Sequence, residues 1–485
     1  MPLVPIHSFA KVKPSSADLK GGTAASQTIT GWDAEKGVVV IGSSVEGAEG
    51  KERIFDHFER TIPPDESQSR TYELVCAPLV NQWLSGYDVD VICYGQTGSG
   101  KTYTQFGPPQ SMKKAKDSLG EKGGIGSICG DDVMRDEYGF ILRAGFDALQ
   151  SVAKINDGSS KSKALLFGSM VELSLLCVSA QNASDLLNGK RQCFVDKYNH
   201  LEGAAHIPLV DSRALVDMAA AVESRLARGT NMNNSSSRSH CITVFTLYVR
   251  DDQGNVRASR FNFFDFMGSE RFSGSNSAHD TSKSAHGTEA GGEGIFANFS
   301  LLYLGEACRT SIRERKKKSS SKNGFPPVGG SFLNMLLAGS LVGNAVTAMI
   351  TCLSPSKRNG SESLHSCKFS KDVARMRNNP QLQPSVPHAT LVKEIQEEYG
   401  KILKIVEKGV VGKYQKKREA QIQGFENTLR ILQELGDGDE RKGLSDSTRA
   451  EPKPRRERSE KQIATFAQAR EARMKKFAEM KEQQC

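Results

Sequence analysis

No two of the ten cysteines stand in CxxC spacing, so the pattern of a zinc site is missing, and ten thiols in 485 residues are too sparse for a disulfide scaffold. A reducing, cytosolic setting follows as the default. The N-terminus, MPLVPIHSFAKVK, has neither a positive start leading into an apolar run nor a glycine at position 2, so neither a signal peptide nor myristoylation is expected. Charge is absent from Asn323 to Ser356, a stretch long enough to cross a bilayer. Pro326, Pro327, Asn334 and Asn344 interrupt it, however, and Gly339 to Asn344 reads as a break between a short helix, SFLNMLLA, and a strand, AVTAMITCL. That segment is expected to be buried core, and no membrane span is predicted. No internal repeat is evident.

What is present is ordinary for a globular protein. Hydrophobic residues make up 38%, and 45 glycines bring the apolar share near the usual ~45–50%, which rules out collagen-like and wholly disordered chains. Sixty-five Lys and Arg against 56 Asp and Glu leave +9, a mild excess that matters only where it is clustered. Up to about Asn379, strand-like runs such as VDVICYG and SRFNFFDF alternate with helical patterns, predicting one large α/β domain. Three polar or Gly-rich segments, Pro108 to Glu137, Ser273 to Gly291 and Arg309 to Gly330, read as surface insertions. The division predicted is 1–379 for the main domain, 380–390 for a linker carrying Pro380, Pro384 and Pro387, 391–435 for a short helical, coiled-coil-like segment, and 436–485 for a polar linker with a basic helix or disordered tail. Val392, Ile395, Tyr399, Ile402 and Val406 keep heptad spacing, and Ile422, Phe425, Leu429 and Leu432 form a second run. Both are short, consistent with a weak homodimer at most.

The chemistry is concentrated in three segments. After the strand VDVICY comes GQTGSGKT, which fits GxxxxGK[ST]. Gly95, Gly98 and Gly100 allow the tight turns that aim backbone N–H groups at phosphate oxygens, with Gln96, Thr97 and Ser99 between them. Lys101 is placed to reach the β- and γ-phosphates, Thr102 to ligate Mg²⁺, and Tyr103 follows. Farther on stand NNSSSRSH, Asn233 to His240, and DFMGSE, Asp265 to Glu270. A P-loop ATPase needs an acid at a strand end, hydroxyls that close on the metal and an N–H that senses the γ-phosphate, and Asp265, Ser237 and Gly268 can supply them.

In this order the three segments resemble those of the kinesin motor domain, which reads GQTGSGKT, NxxSSRSH and DLAGSE; the chain departs only at Phe266 and Met267 in the third. KVKP, Lys11 to Pro14, is similar to the RxRP that borders the adenine, and EGIFANFSLLYLG, Glu293 to Gly305, resembles the switch II helix motif. The resemblance covers roughly residues 5 to 379. It implies a P-loop NTPase fold with an eight-stranded, mostly parallel or mixed sheet flanked by helices, ATP and Mg²⁺ as ligands, and microtubule-stimulated ATP hydrolysis at a cytoplasmic, cytoskeletal location. By resemblance, Ser237 closes on Mg²⁺ with Thr102 and Asp265, Ser236 helps to position the attacking water, Arg238 pairs with Glu270, and Lys11 and Pro14 border the nucleotide.

The track side departs from the family. Where kinesins carry VPYRDSKLTRLL, this chain has PPVGGSFLNMLL, without its charges. Just upstream, Arg309, Arg313, Arg315, Lys316, Lys317, Lys318 and Lys322 oppose only Glu314, a net +6 suited to tubulin's acidic tails. A microtubule-binding motor is therefore the leading expectation, with a non-motile, microtubule-associated structural or regulatory protein as the alternative. No nucleic-acid partner is expected. The three prolines of PQLQPSVP each lack an N–H, which predicts a linker that docks poorly on a sheet.

Overall fold

A computed structural model describes residues 3–14, 28–108, 111–119, 137–158, 161–177, 180–189, 191–196, 199–230, 239–269, 301, 304–312, 332–356, 359–407 and 414–436. Alternating runs near the N-terminus give β1 (Val4–Pro5), β2 (His7–Val12), β3 (Ile29–Asp33), β4 (Val38–Ile41), β5 (Arg53–Phe55) and β6 (Arg60–Ile62). Two short helices follow. In α1 (Gln68–Val75) the Ser67 hydroxyl accepts from the Arg70 N–H at 3.0 Å, and α2 (Ala77–Leu84) carries Pro78 in its first turn, where a missing N–H costs nothing. All six residues of β7 (Val89–Tyr94) are buried, the mark of a strand covered on both faces. It runs through the glycine-rich turn into α3 (Lys101–Phe106), followed by α4 (Ser111–Leu119) and the long α5 (Phe140–Asp157).

The other half is built on long hairpins: β8 (Lys163–Cys177), β9 (Ala180–Asp185), β10 (Gln192–Val195), β11 (Leu201–Glu202), β12 (Ile207–Pro208), α6 (Ser212–Thr230), β13 (Ser239–Arg250) and β14 (Asn255–Asp265). The uncharged segment resolves into α7 (Phe332–Val342) and β15 (Val346–Leu353), all of the latter buried. Then come α8 (Gly360–Val373), β16 (Arg377–Asn378), β17 (Val386–Pro387), α9 (His388–Glu407) and α10 (Gln415–Gly436). Among the described residues no helix is long and apolar enough to cross a membrane.

The main sheet runs β11-β10-β9-β8-β13-β14-β7-β15-β2-β6, with β12 on β8 and β17 on β14. From β14 to β6 the pairs are parallel, and from β8 to β14 antiparallel. The sheet thus has twelve described strands rather than eight; the short β10, β11, β12 and β17 account for the excess. One face packs Phe245, Phe261 and Phe263 against Trp83 of α2 and Phe140 of α5. The other packs Ile92, Ile242 and Phe264 against Leu333 and Leu337 of α7 and Leu304 and Cys308 of the helical stretch 304–312. These described parts all belong to one unit, Met1–Gly436.

The linker expectation is corrected here. Asn379, Gln381 and Gln383 donate their N–H groups to Gly343, Asn344 and Gly86 at 2.9, 3.2 and 2.9 Å, and Val386 pairs with Val256 of β14. Pro380 and Pro384 each directly follow one of these donors and Pro387 precedes another, His388, so the prolines alternate with the amides that dock and cost the docking nothing. The heptad runs likewise find partners within the chain. Ile431, Leu432 and Leu435 of α10 are fully buried on Phe167, Tyr248 and Val256, and Leu391, Val392 and Ile395 of α9 pack on the same cluster. Tyr399 meets Phe425 at 6.1 Å and donates to Glu426 at 2.9 Å. The coiled-coil-like segment is therefore an antiparallel hairpin folded on its own sheet.

Candidate nucleotide site

β7 delivers the chain to Gly95, where φ is +146° and an added Cβ would lie 2.3 Å from the Cys352 carbonyl oxygen. Only glycine passes there without displacing the neighbouring strand. Gly98 and Gly100 also have positive φ, 75° and 106°, but face open space. The loop thus lies tight against β15 on one side and is empty on the other, which is the shape of a cradle for an anion at a helix start.

Lys101 is almost wholly buried, and its ammonium donates to the carbonyls of Gly95 and Gln96, both at 2.8 Å. Thr102 donates its hydroxyl to Asp265 Oδ2 at 2.8 Å. Asp265 ends β14, in parallel register with Cys93, so the sheet itself sets the acid beside the loop. Gln105 of α3 donates to the Phe264 carbonyl at 2.9 Å, and the Ser269 N–H reaches the Gly95 carbonyl at 3.1 Å. Gln96 Oε1, Ser99 Oγ and Ser269 Oγ are buried without a hydrogen-bonding partner. Buried polar atoms without partners are costly, and three of them in or beside the glycine-rich turn fit a polar ligand. A nucleotide phosphate with Mg²⁺ matches this set of one cation, one carboxylate and several hydroxyls.

At the rim, the Lys11 ammonium donates to Gln68 Oε1 at 2.5 Å and lies 5.5 Å from the centre of the Tyr103 ring. Gln68 in turn donates to the Tyr103 carbonyl at 2.6 Å. Burial pulls the Lys11 pKa below its ordinary value. Tyr103 stays 43% exposed, leaving a flat apolar surface beside Lys11, and Lys13 donates to the Gly98 carbonyl at 3.0 Å. Thr97 and Ser99 lie in the loop itself.

The sequence-predicted residues divide into two groups. Lys11, Gly95 to Tyr103, Asp265 and Gly268 come together around the loop, and Pro14 is the exposed sequence neighbour of Lys13, which reaches Gly98. Ser236, Ser237, Arg238 and Glu270 lie outside the described residues, as does the basic segment beyond Ile312. Described residues flank the two motifs. Ser239 opens β13 and donates to Glu172 at 2.8 Å, while Cys241 stands opposite Asp265. The Met267 N–H donates to His240 Nδ1 at 3.3 Å, and the His240 and Phe266 rings meet edge-on at 5.2 Å. His240 at the start of β13 is thereby joined to Phe266 and Met267 just past β14, next to the loop. Phe266 and Met267, the departures from the family motif, are buried in the cluster under α7. Gln68 was missed by sequence reasoning because it belongs to no motif; Lys13 was visible only as a letter of KVKP, and His240 only as the last letter of NNSSSRSH.

A parallel-sheet strand, a glycine loop, a lysine at the helix start and an acid on the adjacent strand define the P-loop NTPase class. A family model for the kinesin motor domain matches residues 20–376, and the chain belongs to the kinesin family. It is 29% identical over 364 residues to kinesin-like protein KIF1B of Rattus norvegicus, covering 71% of this chain and 18% of that protein. To kinesin-like protein KIN-12B of Oryza sativa subsp. japonica it is 30% identical over 336 residues, covering 66% and 27%. The match therefore spans only about a fifth to a quarter of these relatives. Among solved structures, a fast kinesin aligns with a TM-score of 0.58 at 22% identity, over 78% of this chain and 94% of that one. A KIF14 fragment, described as a two-heads-bound dimer with AMP-PNP in complex with a microtubule, aligns with 0.59 at 23%, over 79% and 97%.

Proposed function

We propose that the chain binds ATP with Mg²⁺ at the Gly95–Tyr103 loop, hydrolyses it to ADP and phosphate, and is stimulated to do so by microtubules. The observation that carries this reading is the joint placement of Lys101, Thr102 and Asp265 at the glycine-rich loop, in and beside which Gln96 Oε1, Ser99 Oγ and Ser269 Oγ are buried without partners. Lys101 holds the β- and γ-phosphates when it exchanges its two loop carbonyls for phosphate oxygens. Thr102, Asp265 and Ser237 would hold the Mg²⁺, which neutralises charge on those phosphates. Gly268 offers its N–H to the γ-phosphate, Ser236 orients the attacking water, and Arg238 with Glu270 closes the two segments over it, since phosphoryl transfer is mostly positioning and charge stabilisation. Lys11, Pro14 and the exposed Tyr103 would border the adenine.

In this reading residues 1–379 are the motor domain, 380–390 its neck, 391–435 a helical appendage and 436–485 a polar tail. Microtubules are the partner, reached through the basic segment Arg309 to Lys322, and the protein works in the cytoplasm on the cytoskeleton. One observation favours the non-motile alternative: α7 carries no charged residue, so the helix that aligns with the family's track-binding stretch offers tubulin no cation. Steady-state ATP turnover with and without microtubules tests both. Stimulation of tenfold or more supports a motor; turnover that is absent or indifferent to microtubules, together with co-sedimentation, supports the structural role; neither turnover nor co-sedimentation sinks both.

A further inference from the structure

The segment Asn379 to Pro387 is held mostly through its backbone. Besides the bonds to Gly343, Asn344 and Gly86, Leu382 forms an isolated bridge with Tyr87, and the His388 N–H donates to the Gly254 carbonyl at 3.0 Å. Its side chains add little burial, with Leu382 at 49% exposure and the rest of 381–387 exposed or half-buried. Segments with few buried apolar contacts open easily on their own. The hairpin begins where this segment ends.

Helix α9 begins at His388, directly after β17, with no intervening residue. Its first turns put Leu391, Val392 and Ile395 on the cluster of Phe167, Tyr248 and Val256, and the last turns of α10 bury Ile431, Leu432 and Leu435 in the same place. His388 Nε2 is 2.7 Å from the Leu432 carbonyl oxygen, and a Cβ on Gly436 would lie 3.0 Å from the same ring. The end of α10 therefore sits on the residue where the neck becomes a helix. More of α10 is tied to the core: Lys163 donates to the Glu434 carbonyl, Arg191 donates to Gln423 at 3.1 Å, and Ala420 lies against Gly203.

We propose that the α9–α10 hairpin is an intramolecular clamp that fixes the neck on the edge of β14, so that neck and hairpin leave the sheet together or not at all. Val256 supports both ends of the device, pairing with Val386 through its backbone and packing on α10 through its side chain. A neck held this way moves only if the buried face of α10 is first exposed to water, a requirement separate from anything at the phosphate loop.

Amide hydrogen exchange on the full chain tests the clamp. Ile431→Asp with Leu435→Asp puts two carboxylates into the cluster, and the amides of α10, Gln381, Gln383 and His388 are expected to exchange together, about tenfold or more faster than in the parent, while those of α5 stay unchanged. Should that variant not fold, Leu435→Ala is expected to give the same joint acceleration on a smaller scale. Coupling is reciprocal, so Gln383→Pro, which deletes the donor to Gly86, must also speed exchange along α10. Faster α10 amides with neck amides at the parental rate, or neck amides unmoved in every variant, would overturn the proposal.

Discussion

Asp90 is a carboxylic acid in the middle of β7, 2% exposed, and Asn262 of β14 donates to it at 2.6 Å. Burial pushes its pKa up from 3.8 to about 7; hydrogen bonds from Ser340 and Asn262 pull it partly back, and nearby Asp88 adds to the rise. With the folded-state pKa raised, the unfolded chain binds fewer protons between about pH 4 and pH 7, so stability falls as pH rises through that window and levels off above it. Three units at about 1.4 kcal/mol each set a ceiling of about 4 kcal/mol, and relaxation of the site brings the expected penalty at pH 8 to about 2–4 kcal/mol. Asp90→Asn keeps an oxygen for Asn262 and cannot ionise. Urea unfolding at pH 8 is expected to show the variant more stable by that amount, and at pH 4.5 to show the gain reduced below about 1 kcal/mol. A stability difference that does not change with pH, or a variant weaker than the parent at pH 8, would refute the reasoning.

Lys101→Ala is expected to weaken binding of a fluorescent ATP analogue by about 100-fold, since charge-assisted bonds to phosphate are lost at about 1.5–3 kcal/mol apiece; parental affinity would remove the loop from the nucleotide site. Arg238→Ala and Glu270→Ala should each leave binding nearly intact and cut turnover by orders of magnitude, with the double variant little worse than either, and additive losses would mean the two side chains act separately. Replacing Arg315, Lys316, Lys317 and Lys318 by Ala should weaken microtubule co-sedimentation several-fold at physiological salt, where screening sets in over about 8 Å, with unchanged basal turnover. Equal sedimentation at low and physiological salt would leave the basic segment without a role in binding.

The phosphate loop was legible because its chemistry depends on residue type at fixed local spacing: Gly95, Lys101 and Thr102 sit within eight consecutive residues, and Asp265 ends a run whose strand character is plain. The two departures in DFMGSE were visible as letters, but their reason, burial under α7, depends on a helix some seventy residues away. The neck was misjudged because three prolines lower the average capacity to dock, whereas docking depends on which alternate amides face the sheet. Heptad spacing in α9 and α10 likewise records an apolar stripe without saying whether the partner is another chain, the other helix or the sheet. Asp90 gave no signal at all, since a lone carboxylate within VDVICY looks the same whether it is wet or buried.

The proline pattern of the neck has an outward side as well. An extended segment on a sheet margin offers its free amides to any passing strand, and here Pro380 and Pro384 delete two of those amides on the side away from the core. A second chain trying to add itself to this edge finds gaps where hydrogen bonds should form, so the residues that leave docking undisturbed also discourage the edge-to-edge association that leads to aggregation.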